Sequence, residues 1–352
     1  MTCPLVVVGG SAGALGPLLD LVQGLATGFP AALVVVIHTP PGEPSALAGI
    51  LERAGALPAQ QASEGLALEP GHIYTGVPNH HLLLADSHLG LSLGPRENHS
   101  RPSIDVLFRS AARRGADTAG VLLSGRLDDG VSGLWAIRRA GGRTLVQHPE
   151  EAEYPEMPLN AVRKVDVHEI LSGAQLPAAL TAWAQERCAR RDLPPPQPQD
   201  GSAMNEHERR LLRTELQIAA GAGGEEILNL APLSRLTCPE CHGVMVQISE
   251  GALLRFRCHT GHAFTAATLL SEMRRKTEES LWSGLRTLHE KQFLLDHLSR
   301  HLAGAGETGP ADELRAELAQ TAHCAELLRG GLLGPGGCAD PPPLAPGTLD
   351  AG

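Results

Sequence analysis

The stretch Leu5–Gly13 reads LVVVGGSAG and decides the fold that the first half of the chain is expected to adopt. Its four apolar residues predict a buried strand, and the glycines after them predict a tight turn into a helix. Three further strands of this kind are predicted at Ala32–Ile37, Gly120–Leu123 and Thr144–Val146. Segments with the apolar spacing of helices lie around them, at Gly16–Gly28, Ser45–Gly55, Ser103–Gly115 and Gly130–Ala140. Apolar strands that alternate with helices indicate an α/β fold with a doubly wound, mostly parallel sheet.

The segment 72–93 interrupts this alternation. It contains Ile73-Tyr74 and two strand candidates, His81–Leu84 and Leu89–Leu93, which are joined by Ala85–His88. Two short strands with so short a connection favour an antiparallel pair. We therefore expect a β-hairpin insertion over this segment of the α/β domain.

Ser11 lies in the turn after the first predicted strand, within a G-x-S-x-G pattern. In that pattern a sharp strand-to-helix turn exposes a serine hydroxyl, and nearby backbone N–H groups can stabilise an oxyanion. The glycines at Gly10, Gly13 and Gly16 are also spaced as in a loop that binds a phosphate or a dinucleotide. A dinucleotide site requires an acidic residue at the end of the second strand, where this chain has His38. The loop by itself leaves both interpretations open.

His38 favours the interpretation of Ser11 as a nucleophile. It follows the second predicted strand, and parallel strands end at one edge of a sheet, so His38 can reach Ser11 as a general base. The segment 122–130, which reads LLSGRLDDG, brings Asp128 and Asp129 to the same edge. One aspartate can orient the imidazole, and an aspartate at this position also commonly caps the helix that follows.

Several ordered motifs resemble the catalytic domain of bacterial chemotaxis protein-glutamate methylesterases, the CheB type. They are the strand with its GGSAG turn, the second strand ending in His38 with Pro40-Pro41 behind it, the segment Gly71–Leu84, the segment Arg101–Ser110 and the SGRLDDG loop. The resemblance covers residues 4–185. Because the chain opens directly on the catalytic strand, it is similar to stand-alone members of the family that lack a receiver domain.

The resemblance implies a hydrolase that removes methyl groups from glutamate γ-methyl esters and also deamidates glutamines. The implied partner is the cytoplasmic helical bundle of methyl-accepting chemoreceptors or of receptor-like proteins, within phosphorelay-associated chemotaxis signal transduction. Catalysis in this family needs no cofactor. By motif, Ser11 is the nucleophile, His38 the general acid and base, and Asp129 the orienting carboxylate. We expect the backbone N–H groups of Ala12 and Arg126 to form the oxyanion hole.

Two positions depart from the family pattern. Ala12 stands where the family commonly has threonine, and Arg126-Leu127 replaces a Met-Gly pair in the SGRLDDG loop. These changes motivate an alternative, a catalytically weakened adaptor of the same fold that binds receptors. A nucleotide-binding oxidoreductase is a third interpretation, and His38 in place of an acidic residue counts against it.

The second half of the chain carries four candidate metal ligands in the pattern C-x2-C and C-x3-H, namely Cys238, Cys241, Cys258 and His262. Two such pairs can surround one tetrahedral ion when a hairpin separates them, here the strand candidates Val244–Ser249 and Leu253–Arg257. The neighbouring His259 is disfavoured as a ligand because adjacent side chains diverge. We expect a structural zinc ion in a small ribbon, since four protein ligands leave no open position. The other interpretation is a chance cluster of reduced core cysteines.

The predicted organisation has six parts: a catalytic domain over 1–190, a Pro-rich linker over 191–204, a helical connector over 205–234, the zinc-ribbon-like module over 235–265, a helical region over 266–330 and a disordered tail over 331–352. Helices are expected at Asn205–Ala220, Ala266–Ala303 and Ala311–Arg329. The leucines of the long helix fit a heptad only loosely. Self-association through 266–303, docking to a receptor helical bundle and packing on the chain's own domain therefore all stay open.

Composition excludes several classes of partner. The 352 residues carry 29 Lys and Arg against 39 Asp and Glu, a net charge of −10, and only 3% aromatic residues. Such a chain lacks the basic field and stacking platforms of a nucleic-acid binder. No apolar run approaches the roughly 20 residues that span a bilayer, and the N-terminus does not have the pattern of a signal peptide. We expect a cytoplasmic protein without membrane insertion, in a reducing compartment because three of its seven cysteines cluster.

Overall fold

A seven-stranded parallel sheet forms the core of the computed structural model, which describes residues 3–38, 45–190 and 204–333. The elements up to residue 190 are, in chain order, β1 (Leu5–Gly10), α1 (Leu15–Gln23), β2 (Ala32–Ile37), α2 (Leu47–Ala54), β3 (Ala59–Gln61), β4 (Ile73–Thr75), β5 (His81–Ala85), β6 (His88–Ser92), α3 (Ile104–Ala112), β7 (Thr118–Leu122), α4 (Val131–Arg139), β8 (Arg143–Gln147), α5 (Glu156–Lys164), β9 (Glu169–Leu171) and α6 (Leu176–Ala189). The order across the sheet is β3-β4-β2-β1-β7-β8-β9, and all neighbours are parallel.

The two faces of β1 explain why its sequence is apolar throughout. Leu5 and Val7 belong to the core on one face of the sheet, whereas Val6 and Val8 belong to the core on the other. All four side chains are fully buried. Successive residues of a strand point to opposite faces, so a strand covered on both sides needs apolar residues at every position. The predicted doubly wound, mostly parallel α/β fold is confirmed.

The chain changes direction across the sheet at β1. It first adds strands on the β2 side, and later adds β7 on the other side of β1. Such a switch point opens a crevice at the carboxyl ends of the strands, where open α/β sheets bind their ligands. In the register of the sheet, Gly10 lies beside Ile37 and Gly9 beside Leu122, so these three strands end next to one another.

The hairpin prediction is confirmed for β5 and β6 and wrong for Ile73-Tyr74. Strands β5 and β6 form a two-stranded antiparallel sheet, joined by a turn in which Asp86 has φ +54°. Ile73 and Tyr74 instead lie in β4, a strand of the main sheet between β2 and β3. A strand of three residues is too short to show its pairing in the sequence, because its partners in the sheet are distant along the chain.

A four-stranded antiparallel sheet follows the α/β part. Helix α7 (Glu206–Ala219) begins at Asn205 in a capping box with Glu208 and leads to β10 (Leu233–Thr237), β11 (Val244–Glu250), β12 (Leu253–Cys258) and β13 (Ala263–Thr265). We call residues 233–265 the ribbon. Up to Leu269 this part belongs to one compact unit with the parallel sheet. The helical connector and the ribbon, predicted as separate parts over 205–234 and 235–265, are therefore packed with the predicted catalytic domain.

Two long helices, α8 (Ala266–Gly304) and α9 (Thr308–Leu333), complete the described chain. A second compact unit begins at Leu270, and within it Leu285, Ala325 and Leu332 are buried together. Helix α9 extends three residues into the predicted tail, while 334–352 lie outside the described residues. The same holds for Pro40-Pro41 and for 191–203 of the predicted linker. None of the described helices combines the length and the apolar character that crossing a bilayer requires.

Candidate active site

The ends of three adjacent strands bring the predicted catalytic residues to one edge of the sheet. Ser11 follows β1, His38 follows β2, and Asp129 lies in the loop after β7. The backbone N–H of His38 donates to the carbonyl oxygen of Gly10 at 3.1 Å, and that of Ser11 donates to the carbonyl oxygen of Ser124 at 2.9 Å. These bonds extend the sheet one residue beyond the strands. The backbone at Ser11 therefore lies between the segment that follows β2 and the segment that follows β7, with neighbouring segments about 4.8 Å apart.

The turn at Ser11 is as tight as its glycines predict. The Ala14 N–H donates to the Ser11 carbonyl oxygen, and α1 begins at the next residue. Gly13 has φ +72°, a conformation that favours glycine, and a Cβ there would lie 2.7 Å from Ser124 Oγ. A Cβ at Gly10 would lie 2.5 Å from that of Ala14. The turn therefore lies close against Ser124 and Gly125.

His38 and Asp129 form a hydrogen-bonded pair. The distance from His38 Nε2 to Asp129 Oδ2 is 2.8 Å, and the two side chains are 20% and 4% exposed. Because Nε2 faces the carboxylate, Nδ1 is the ring nitrogen that remains to accept a proton from Ser11. Among the described residues no hydrogen bond joins Ser11 Oγ to the ring, and such bonds often form only in the complex with substrate.

Asp129 lies at the N-terminus of α3. Its carboxylate accepts hydrogen bonds from the Ile104 N–H at 2.8 Å, Ser103 Oγ at 2.9 Å and Asn98 Nδ2 at 3.1 Å. Burial raises the pKa of Asp129, but the hydrogen bond and charge of His38 and these donors outweigh it and hold the pKa well below its usual range. The carboxylate therefore remains ionised and stabilises a protonated imidazole.

Of the two aspartates in the loop, only Asp129 reaches His38. Asp128 is buried on another side, where Lys164 Nζ donates to it at 2.9 Å and the hydroxyl of Thr265 also donates to it. Neither aspartate caps the helix that follows, since Gly130 occupies the N-cap of α4 with φ +88°. The conformation of the loop after β7 therefore decides which aspartate pairs with His38 and which pairs with Lys164.

The backbone N–H groups predicted for the oxyanion hole are available in this geometry. Within the described residues, neither the Ala12 N–H nor the Arg126 N–H donates a hydrogen bond. The guanidinium of Arg126 is exposed and lies over the ring of Tyr154, 4.9 Å from its centroid. Leu127, which replaces a family glycine, has φ +59°, so the loop keeps a backbone conformation suited to glycine.

The four predicted metal ligands come together in the ribbon. One ligand atom from each of Cys238, Cys241, Cys258 and His262 lies within 4.8 Å of all the others, so the group could hold a metal ion. His262 Nδ1 faces the thiols, 3.8 Å and 3.7 Å from the sulfurs of Cys238 and Cys258. Its Nε2 lies 3.1 Å from Glu240, the carboxylate partner that metal-binding histidines commonly have. The ring of His259 lies instead against Gly243.

Residues that the sequence did not single out complete the site. Asn98 and Ser103 donate hydrogen bonds to Asp129, the candidate catalytic aspartate, and Glu240 pairs with the candidate ligand His262. Ser103 lies inside Arg101–Ser110, one of the motifs that resemble the family, so the sequence already pointed to this segment. Asn98 and Glu240 carried no such signal, because their roles depend on contacts between segments that are far apart in the chain.

Comparison with known proteins identifies the family of the α/β part of the chain. The family model of the CheB methylesterase matches residues 6–180. A putative protein-glutamate methylesterase/protein-glutamine glutaminase of Leptospira interrogans is 36% identical over 174 residues, which are 49% of this chain and 90% of that protein. The enzyme of that name from Escherichia coli is 32% identical over 183 residues, and the alignment spans only about half of it. The crystal structure of the Thermotoga maritima CheB methylesterase catalytic domain superposes with a TM-score of 0.50 at 27% identity, over 52% of this chain and 99% of that one.

These similarities define the class as a CheB-type methylesterase catalytic domain. The chain belongs to the CheB methylesterase family. The matched residues end before the ribbon, which the family likeness does not cover.

Proposed function

We propose that this chain is a protein-glutamate methylesterase that hydrolyses glutamate γ-methyl esters of methyl-accepting chemoreceptors and also deamidates receptor glutamines. The hydrogen bond between His38 and Asp129, beside Ser11 at the ends of adjacent strands, carries the proposal. The names of the Leptospira and Escherichia coli relatives contain both activities. The methyl ester and the primary amide of a glutamate side chain have the same acyl group, so one site serves both.

Acylation of Ser11 is the first half of the reaction. Ser11 Oγ attacks the ester carbonyl carbon while its proton passes to Nδ1 of His38, and the ionised Asp129 stabilises the imidazolium. The carbonyl oxygen becomes an oxyanion that accepts hydrogen bonds from the N–H groups of Ala12 and Arg126. When the C–O bond to the methoxy group breaks, His38 returns the proton and methanol leaves. With a glutamine substrate the leaving group is ammonia.

Hydrolysis of the acyl-enzyme is the second half. A water molecule attacks the same carbonyl carbon, and its proton passes to Nδ1 of His38. Collapse of the second tetrahedral intermediate breaks the bond to Ser11 Oγ, which takes the proton back. The products are the regenerated hydroxyl and a carboxylic acid on the receptor, which releases its proton to water and becomes a glutamate carboxylate. No redox partner or cofactor takes part in these steps.

Replacement of Ser11 by Ala tests the proposal. We expect methanol release from methylated receptor membranes, at saturating substrate, to fall by about 10³-fold or more, because the nucleophile is lost. Ser87→Ala, at a half-buried position of the turn between β5 and β6, is the control and should retain full activity. Equal methanol release by the Ser11→Ala variant and the unchanged chain would contradict the proposal and favour the adaptor.

We also propose that Cys238, Cys241, Cys258 and His262 hold a structural zinc ion. Thiolate and imidazole are the ligands that zinc prefers, and four of them leave no position for a substrate. Purified under reducing conditions, the chain should contain about one equivalent of zinc by elemental mass spectrometry. Cys241→Ser should lose it, whereas Cys324→Ser, in the exposed part of α9, should not. Less than about half an equivalent in the unchanged chain would contradict the assignment.

A further inference from the structure

We propose that Asn98 is a positioning residue for the catalytic aspartate, and that the ribbon, with its metal site, holds Asn98 in place. The proposal rests on the proposed function, because the reaction gives Asp129 its role. It assigns to the ribbon an influence on catalysis that passes through Asn98 and Asp129, since among the described residues no hydrogen bond joins the ribbon to Ser11 or His38.

Asn98 uses both ends of its amide. Nδ2 donates to Asp129 Oδ1 at 3.1 Å and to Asp105 Oδ2 at 3.2 Å, while Oδ1 accepts the backbone N–H of Thr265 at 2.9 Å. The backbone N–H of Asn98 donates to the carbonyl oxygen of Ala263 at 2.8 Å. Asn98 is thus held by two bonds to strand β13 on one side and donates to the catalytic carboxylate on the other.

The metal site lies directly behind this contact. His262 immediately precedes β13, so binding of its ring fixes the start of the strand that holds Asn98. Glu240, between Cys238 and Cys241 in the sequence, lies 3.1 Å from His262 Nε2 and 3.0 Å from Nδ1 of His99. His99, the neighbour of Asn98, is therefore linked through Glu240 to the candidate ligand His262. The segment 97–99 is thus held both by β13 and by Glu240.

Strand β13 and the start of α8 also reach the second aspartate of the loop. The hydroxyl groups of Thr265 and Thr268 both lie against Asp128 Oδ1, and Asp128 and Asp129 are consecutive. All of these side chains are nearly or fully buried. Because a buried polar network has few alternative partners, a shift of β13 changes the donors available to Asp129. Loss of the metal should therefore loosen the orientation of His38 through Asp129.

Asn98→Gly tests the positioning role. Asn98 has φ +50°, which glycine adopts without strain, so the variant removes the amide and spares the backbone. We expect kcat for methanol release to fall about tenfold and KM to change less than twofold, because the bond orients the triad and touches no substrate. Asn98→Asp, which still accepts from Thr265 but cannot donate to Asp129, should not restore kcat. The control is Asn79→Gly, at another asparagine of positive φ whose amide binds Arg101.

A second readout separates this proposal from the proposed function. In histidine labelled with ¹⁵N, the Nε2 proton of His38 reports the hydrogen bond to Asp129 whether or not the chain hydrolyses an ester. We expect this resonance to shift or broaden in Asn98→Gly, and in the full chain after zinc removal, and to return when Zn²⁺ is added. Circular dichroism confirms that each sample is folded, and Cys241→Ser replaces zinc removal if the depleted chain unfolds.

The outcomes are distinct. An unchanged kcat in Asn98→Gly together with an unchanged His38 resonance overturns the positioning role, while loss of activity in Ser11→Ala keeps the esterase assignment. An unchanged His38 resonance after verified zinc loss, or a chain that binds no zinc, overturns the influence of the metal. An inactive unchanged chain contradicts the proposed function, and the resonance then decides the present proposal alone.

Discussion

Asp129 shows how a single residue takes its role from the fold. Its carboxylate occupies the N-terminus of α3, where it accepts the Ile104 and Asp105 N–H groups and the Ser103 hydroxyl, although it precedes α4 in the chain. Unpaired N–H groups at a helix N-terminus favour a negative charge. The same bonds fix the direction of the carboxylate towards His38. An anion held by a helix end is thus rigid and ionised, as a triad requires.

A histidine remote from the active site sets a pH dependence. Burial, with the charges of Arg138 and Arg143, lowers the pKa of His168 from 6.5 to about 4. The neutral ring accepts the Thr144 N–H at Nδ1, which a protonated ring cannot do. Its contribution to stability is therefore complete above pH 6.5, where folded and unfolded forms are both neutral, and is lost as the pH falls towards 4.

His168→Asn should remove this pH dependence, because the amide oxygen can accept the Thr144 N–H without titrating. We expect the free energy of unfolding of the unchanged chain, from urea titration, to fall by about 1–2 kcal/mol more than that of the variant between pH 7 and pH 4.5, after allowance for the partial exposure of the ring. His207→Asn, at an exposed position of α7, is the control. Equal losses in His168→Asn and the unchanged chain would contradict the assignment.

At the scale of elements, a buried network of charges joins the ribbon to α3. Three arginines and three glutamates take part, namely Arg109, Arg255, Arg257, Glu97, Glu215 and Glu250. Strand β12 contributes Arg255 and Arg257, and α7 contributes Glu215, which bonds to both. Burial raises the pKa of Glu97, but Arg109 and Arg257 outweigh it and keep the carboxylate ionised. The charges therefore balance only when the ribbon is packed on the sheet domain.

Arg257→Met tests how much the buried charge network contributes to stability. It leaves Glu97 and Glu215 buried with one arginine fewer, and loss of one partner from a buried ion pair costs about 3–5 kcal/mol. We expect the free energy of unfolding in urea to fall by that amount. Arg300→Met, which breaks an exposed pair with Asp296, should change it by less than about 1 kcal/mol. Similar effects of the two substitutions would show that the network contributes no more than a surface pair.

At the scale of the whole molecule, the family domain and the added ribbon form one unit, and the helices α8 and α9 form most of another. The matched family region ends at residue 180. In this chain, however, Glu97 and Asn98 of that region find their partners in β12 and β13. Removal of residues after 190 would leave a buried carboxylate and the Asn98 amide without these partners. The sheet domain of this chain therefore depends on sequence outside the family match.

Self-association through 266–303 stays a prediction. Helix α8 exposes large apolar side chains, Trp282, Phe293 and Leu294, of the kind that a contact between copies would bury. We expect the full chain to have the mass of a dimer in multi-angle light scattering, and Phe293→Asp to lower it to that of a monomer. Arg300→Ala, on the same helix, serves as the control. A monomeric mass for the unchanged chain would contradict the prediction.

The sequence by itself determined the features that neighbouring residues encode. Apolar runs predicted β1 and β2, glycines predicted the turn at Ser11, and the spacing of cysteines and histidine predicted the group in the ribbon. These patterns are reliable because strand burial, turn conformation and ligand spacing depend on residues close together in the chain.

Only the tertiary structure decided which aspartate orients His38, where β4 pairs, and that Asn98 connects the ribbon to Asp129. Each of these depends on contacts between distant segments, as in the bond between Asn98 and Thr265, which are 167 residues apart. No local pattern contains such a contact, because the side chains meet only after the sheet and the ribbon have packed together. The sequence therefore predicted the candidate catalytic residues and metal ligands, whereas the residues that hold them in place emerged only from the packing of distant segments.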